Sequence, residues 1–183
     1  MVVIAIAIGA CSVDLGEART IQNDGVAMLE DGEWEDAAAA FSQVIDLEPS
    51  DTDLLAKAYL NRSFANAVLE RWEESVADAS VAVIDLDPSD TVLVARAYLN
   101  RSVALGALGR WEEALADATT VIDLEPGDAV LARGYFFRAV ALAELGRTDE
   151  AAADAQTALG LLPPTHDVSR GASELLVELG FSE

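Results

Sequence analysis

The sequence predicts an all-α solenoid of sequential helical hairpins, on three observations. First, the stretch 95–126, ARAYLNRSVALGALGRWEEALADATTVIDLEP, recurs over 56–88 as AKAYLNRSFANAVLERWEESVADASVAVIDLDP, and again in eroded form on both sides. Second, Trp34, Trp72 and Trp111 are spaced by 38 and 39 residues, and Pro49, Pro88, Pro126 and Pro164 by 39, 38 and 38. Third, each unit holds two runs of helical apolar periodicity joined by a short turn, and short turns make neighbouring helices antiparallel.

Taken in order, the pattern predicts helices over 15–29, 34–47, 52–69, 72–86, 91–108, 111–124, 129–145 and 149–161. In the first helix Ile21, Gly25, Val26 and Leu29 are expected to face its partner. In the second, Ala37, Ala38, Phe41, Val44 and Ile45 form the apolar face. Glu33, Glu35 and Asp36 crowd its first turn, where the positive end of the helix dipole favours them. Pro49 stops this helix, and Ser50 or Asp51 caps the next. A last helix, from Val168 or Ser169 to Leu179, is expected to cover the end of the fourth hairpin with Leu175, Leu176 and Leu179. Arg170, Glu174 and Glu178 would then face water.

At this point the repeat resembles the tetratricopeptide repeat, TPR. The family's small residue of the first helix falls at Gly25, Ser63, Ser102 and Ala139, and its turn position at Gly32, Glu70, Gly109 and Gly146. The aromatic opening the second helix falls at Trp34, Trp72 and Trp111, with Thr148 departing. The small residue at the helix crossing falls at Ala37, Ser75, Ala114 and Ala151. The resemblance covers roughly residues 19–165 and implies a right-handed solenoid of about four antiparallel hairpins with a C-terminal capping helix. The expected organisation is an apolar segment and linker over 1–18, repeats over 19–50, 51–89, 90–127 and 128–165, and the cap over 166–183. The period exceeds the family's usual length of about 34 residues, which implies longer first helices.

Composition narrows the function. Hydrophobic residues make up 52% of the chain and aromatics only 6%, so stacking of alanine-rich repeats, not one central core, must supply the burial. With 33 acidic against 11 basic residues the formal net charge is -22, which repels a phosphate backbone and argues against a nucleic-acid partner. The single cysteine rules out an intrachain disulfide. The single histidine, His166, is expected in a solvent-facing loop. There is no HExxH, no Cys/His cluster and no glycine-rich phosphate loop, and the carboxylates recur at helix starts as on solvated faces. No enzyme, metal or cofactor is expected.

The opening MVVIAIAIGAC is apolar but too short to span a bilayer. One account is an export signal lacking its basic region. Ile8-Gly9-Ala10-Cys11 resembles a bacterial lipoprotein cleavage site, with Cys11 as the lipidated residue. That implies the periplasm or attachment to the outer membrane. The alternative is a loosely docked segment on a cytoplasmic protein.

Six of the eleven basic residues recur at two repeat positions: Lys57, Arg96 and Arg133, then Arg62, Arg101 and Arg138. The resemblance places the first series on the inner face of the first helices. Leu60, Leu99 and Phe136, then Phe64, Val103 and Val140, would line the same surface, and Asn61 and Asn100 match a position that some relatives use to grip peptide backbone. Two readings stand for each series. The cations could hold a peptide or protein segment of acidic or carboxylate character, through paired hydrogen bonds. Or they could pair internally, Arg62 and Arg101 with Asp85 and Asp123 or with acidic residues of the second helices. The expected function is a non-catalytic protein-interaction module or scaffold. The alternative is a structural, self-associating repeat protein of the bacterial envelope, mating through the end that carries Phe136 and Phe137.

Overall fold

The computed structural model describes residues 15–86 and 89–181. Cys11 and the apolar segment before it lie outside the described residues, and with them the expectations of export and lipidation. Among the described residues the chain is helical throughout. α1 (Leu15–Asp31) pairs with α2 (Trp34–Asp46), and α3 (Thr52–Val68) with α4 (Trp72–Ser80). α5 (Thr91–Ala107) pairs with α6 (Trp111–Asp123), and α7 (Asp128–Glu144) with α8 (Thr148–Leu161). α9 (Asp167–Glu178) closes the row. Each helix packs on the next. The first helices α3, α5 and α7 also touch one another in series, so hairpins stack side by side as an all-α solenoid.

Local chemistry fixes the helix ends. The Asp51 carboxylate accepts from the Leu54 N–H at 3.0 Å, and the Asp90 carboxylate accepts from the N–H groups of Val92 and Leu93. At the four intra-hairpin turns the chain turns left-handed at Gly32, Glu70, Gly109 and Gly146, with φ of 79°, 58°, 72° and 76°. The N–H of the following residue reaches back to the carbonyl five residues earlier, as Arg71 does to Asn66 at 2.8 Å. Three of these positions carry glycine, which adopts this conformation without strain. Glu70 does not. We therefore expect Glu70→Gly to stabilise the protein by about 1 kcal/mol, seen as a higher midpoint in denaturant unfolding. An unchanged midpoint would refute the strain.

The second repeat carries one extra residue. Trp72 and Pro88 are 16 apart, whereas Trp34 and Pro49, and Trp111 and Pro126, are 15 apart. The structure absorbs it by widening α4 into a π-helical stretch, Val81–Asp85, in which the Leu86 N–H bonds to the Val81 carbonyl at 3.2 Å. Ala82 and Val83 stay buried, so the apolar face is kept despite the insertion.

Alanine dominates the interior. Ala56, Ala58, Ala95, Ala97, Ala132 and Ala139 are fully buried, which lets the helices approach closely. The first hairpin solves the same packing with a different pair. Phe41 is fully buried against Gly25, where an added Cβ would meet the ring at 2.8 Å. The last helix caps as expected: Val168, Ala172 and Leu176 join the core of α7 and α8, with Leu175 and Leu179 packed beside them. One expectation for α1 fails. Val26 is exposed, at 36%, and Gln22 is buried instead, at 6%. The repeat register explains it, because Val26 occupies the position of Phe64 and Gln22 that of Leu60.

Candidate protein-interaction face

The two arginine series separate completely. Arg62, Arg101 and Arg138 turn inward and pair with Asp78, Asp117 and Asp154, each 16 residues on and on the second helix of the same hairpin. All three pairs are two-pronged. Nε and Nη2 of Arg62 donate to the two Asp78 oxygens at 2.8 and 2.6 Å, those of Arg101 to Asp117 at 2.7 and 2.8 Å, and those of Arg138 to Asp154 at 2.6 and 2.8 Å. Each guanidinium also lies over the ring of the tyrosine three residues earlier, Tyr59, Tyr98 or Tyr135, at 5.2–5.4 Å from the centroid. The remaining Nη1 of Arg62 and Arg101 donates to a serine of the preceding hairpin, Ser42 at 2.9 Å and Ser80 at 3.1 Å, so these arginines fasten one repeat to the next. Hydrogen bonding to the aspartate raises the pKa of all three arginines, against the opposing effect of burial.

This series is therefore internal, and its acidic partners come from the second helices. Arg101 takes Asp117 and not Asp123, which is exposed. The sequence carries the signal for this pairing in the recurrence of Asp78, Asp117 and Asp154, each 16 residues after its arginine.

Lys57, Arg96 and Arg133 turn outward. All three are exposed, and no described carboxylate lies within ion-pair distance of them. Among the described residues, seven of the eleven basic side chains are ion-paired, and three of the other four form this one row.

Two adjoining cavities open on the face formed by α3, α5 and α7. One, of about 360 Å³, is lined by Leu60, Asn61, Arg96, Asn100, Arg133 and His166. The other, of about 380 Å³, is lined by Val68, Trp72, Val103, Phe136, Phe137 and Val168. They share Phe64, Leu99, Asn100 and Arg133. Nine of the eleven residues expected on an inner face thus line one continuous surface, and Lys57 and Val140 lie outside both cavities. Phe64 is 42% exposed and meets Trp34 edge-on, with ring centroids 6.0 Å apart. Asn100 is partly committed, since its Nδ2 donates to the Leu60 carbonyl at 3.3 Å and ties α5 to α3.

His166 lies in a loop as expected, but it is not freely solvent-facing. It is half-buried, accepts the Val168 N–H at Nδ1 as it caps α9, and lies 2.6 Å from Asp167. The start of the capping helix thereby walls one end of the face. The Val168 N–H also holds the Asp167 carboxyl below its usual pKa, with the charge of Arg133 acting the same way. The capping bond is local, but the place of His166 beside Arg96 and Arg133 depends on how α9 folds back on α7.

Among the described residues no group of three or more His, Cys, Asp or Glu is placed to hold a metal ion. No described helix is long and apolar enough to cross a membrane. The arrangement offers hydrogen-bond donors, cations and apolar surface.

No family model matches the chain, and no curated protein does. Solved structures do. A TPR protein of Thermus thermophilus, TTC0263, superposes with a TM-score of 0.72 at 20% identity, over 90% of this chain and 84% of that one. The fold is TPR-like. MamA from Desulfovibrio magneticus RS-1, residues 41 to the end, gives a TM-score of 0.68 at 18% identity, covering 90% of this chain and 86% of its own. Another MamA structure gives 0.66 at 24% identity, covering 80% and 79%. At these identities the TPR-like likeness is one of fold.

Proposed function

We propose that this chain is a non-catalytic protein-interaction module, a scaffold that holds a peptide or protein segment of acidic or carboxylate character against the face built by α3, α5 and α7. One observation carries the reading. In a chain of net charge -22, the exposed cations Lys57, Arg96 and Arg133 have no ion-pair partner among the described residues, and Arg96 and Arg133 line the cavities of this face. Acidic residues outnumber basic ones threefold, so unpaired cations in a row are poorly explained by internal stability. They create a local positive field on a negative body, which steers and orients an acidic partner. Phe64 and Phe136 supply apolar area, and Asn61 and the free capacity of Asn100 suit peptide backbone. An envelope location extends this reading and rests on Ile8–Cys11 alone.

The test is capture from source cells, identification of the captured protein, and titration of that purified protein. Reversing Lys57, Arg96 and Arg133 to glutamate is expected to weaken binding at least about tenfold while leaving the circular dichroism unchanged. Undiminished binding by the reversed protein would refute the proposal.

A further inference from the structure

We infer that the segment held by this face is α9 of a second copy of this chain; the inference names the partner in the interaction reading above and rests on it. Among the described residues six large apolar side chains are exposed. Phe64 and Val68 line the cavities, and Val26 holds the position of Phe64 one hairpin earlier. Val92 stands apart. The other two, Val177 and Phe181, lie at the far end of the solenoid, on the outer side of α9 and just beyond it. Val177, at 66%, is the most exposed of the six. A helix that closes a row of repeats ordinarily turns a polar outer side to water, and this one does not.

The chemistry of that outer side complements the cavities. Val177 sits between Glu174 and Glu178, both exposed and without an ion-pair partner among the described residues. Residues spaced by three and four share one stripe of a helix, so carboxylates and an apolar side chain are presented together. Phe181 folds back onto the helix end, its N–H donating to the Leu176 carbonyl at 2.9 Å. The cavities hold the converse mixture, with Arg133 beside Phe64 in both and Arg96 in one. Guanidinium forks thus meet carboxylates while apolar groups meet apolar groups. The contact has to run between chains. Val168, Ala172 and Leu176, on the other side of α9, are committed to the core with α7 and α8, so the stripe points away from its own cavities. The giving and receiving surfaces differ, so the contact is head-to-tail and propagates into a ring or a filament. Two bodies of net charge -22 repel at long range. At physiological salt the Debye length is about 8 Å, so that repulsion is screened while pairs in contact persist.

Sedimentation of the intact protein in physiological salt, from about 1 μM to 1 mM, is expected to show species that grow with concentration. Arg96→Gln with Arg133→Gln, and separately Glu174→Gln with Glu178→Gln, should each weaken this association at least about tenfold, with the circular dichroism unchanged. An equimolar mixture of the two variants should form a species of two chains and grow no further. One chain then supplies the only intact face and the other the only intact α9. A protein that stays monomeric throughout would overturn the inference. So would association that either pair of substitutions leaves undiminished, or a mixture that fails to pair. If any of these occurs while the captured protein still requires Arg96 and Arg133, the second copy is refuted as the occupant and the interaction reading stands. If charge reversal leaves capture intact, the interaction reading falls first.

Discussion

Replacing Asp78 with alanine is expected to destabilise the second hairpin by roughly 3–5 kcal/mol, the largest loss of any single polar substitution in the chain. Asp78 is 6% exposed and accepts from Nε and Nη2 of Arg62 and from Nδ2 of Asn66 at 3.1 Å. Its removal strands a guanidinium with a side-chain exposure of only 23%, together with a buried amide. It also frees Arg62 from the geometry that reaches Ser42, so the junction between the first two hairpins loosens. The equivalent substitutions should rank in order. Asp117→Ala should cost less, because Leu105 stands where Asn66 does and no amide is stranded. Asp154→Ala should cost least, because Arg138 makes no serine bond to the preceding hairpin. Denaturant unfolding gives the totals. Hydrogen exchange across α3 and α4 shows whether the loss is local, as a one-dimensional stack requires. A reversed ranking would sink the account.

Phe41→Ala is expected to cost about 3–5 kcal/mol. Phe41 is fully buried and its ring fills the space left by Gly25, with Cε1 2.8 Å from where a Cβ would stand. The later repeats fill the same place with Ser63 and Ala79, Ser102 and Ala118, and Ala139 and Ala155. Hairpin one therefore uses a small–large pair where the others use two small residues. Gly25→Ser alone should destabilise, since the enclosed ring cannot yield. Gly25→Ser added to Phe41→Ala should recover part of the loss, because it recreates the pair of hairpin two. Additive effects of the two substitutions would show that the residues do not share the space.

Much of the fold was legible because its signals are local. Helix starts at Trp34, Thr52, Trp72, Thr91 and Trp111 were fixed by turn chemistry and apolar period, and these act over a few residues. Even the π-helical stretch had a trace, in the 16-residue spacing from Trp72 to Pro88. The inner row of Lys57, Arg96 and Arg133 was legible in part, because a repeat places equivalent residues on one face whatever they do there.

The sequence by itself determined the hairpins, their number, their turns and the capping helix, since each depends on interactions within or between adjacent segments. Only the tertiary structure decided which arginines were consumed. Both series are cationic and share one helix, but Arg62, Arg101 and Arg138 face a second helix that offers an aspartate 16 residues away, and Lys57, Arg96 and Arg133 face open space. It likewise decided that His166 walls the face and that Val26 is exposed. The reason is that a charge's partner is set by which helix faces meet across a hairpin, and periodicity gives the face of a residue without giving what lies opposite.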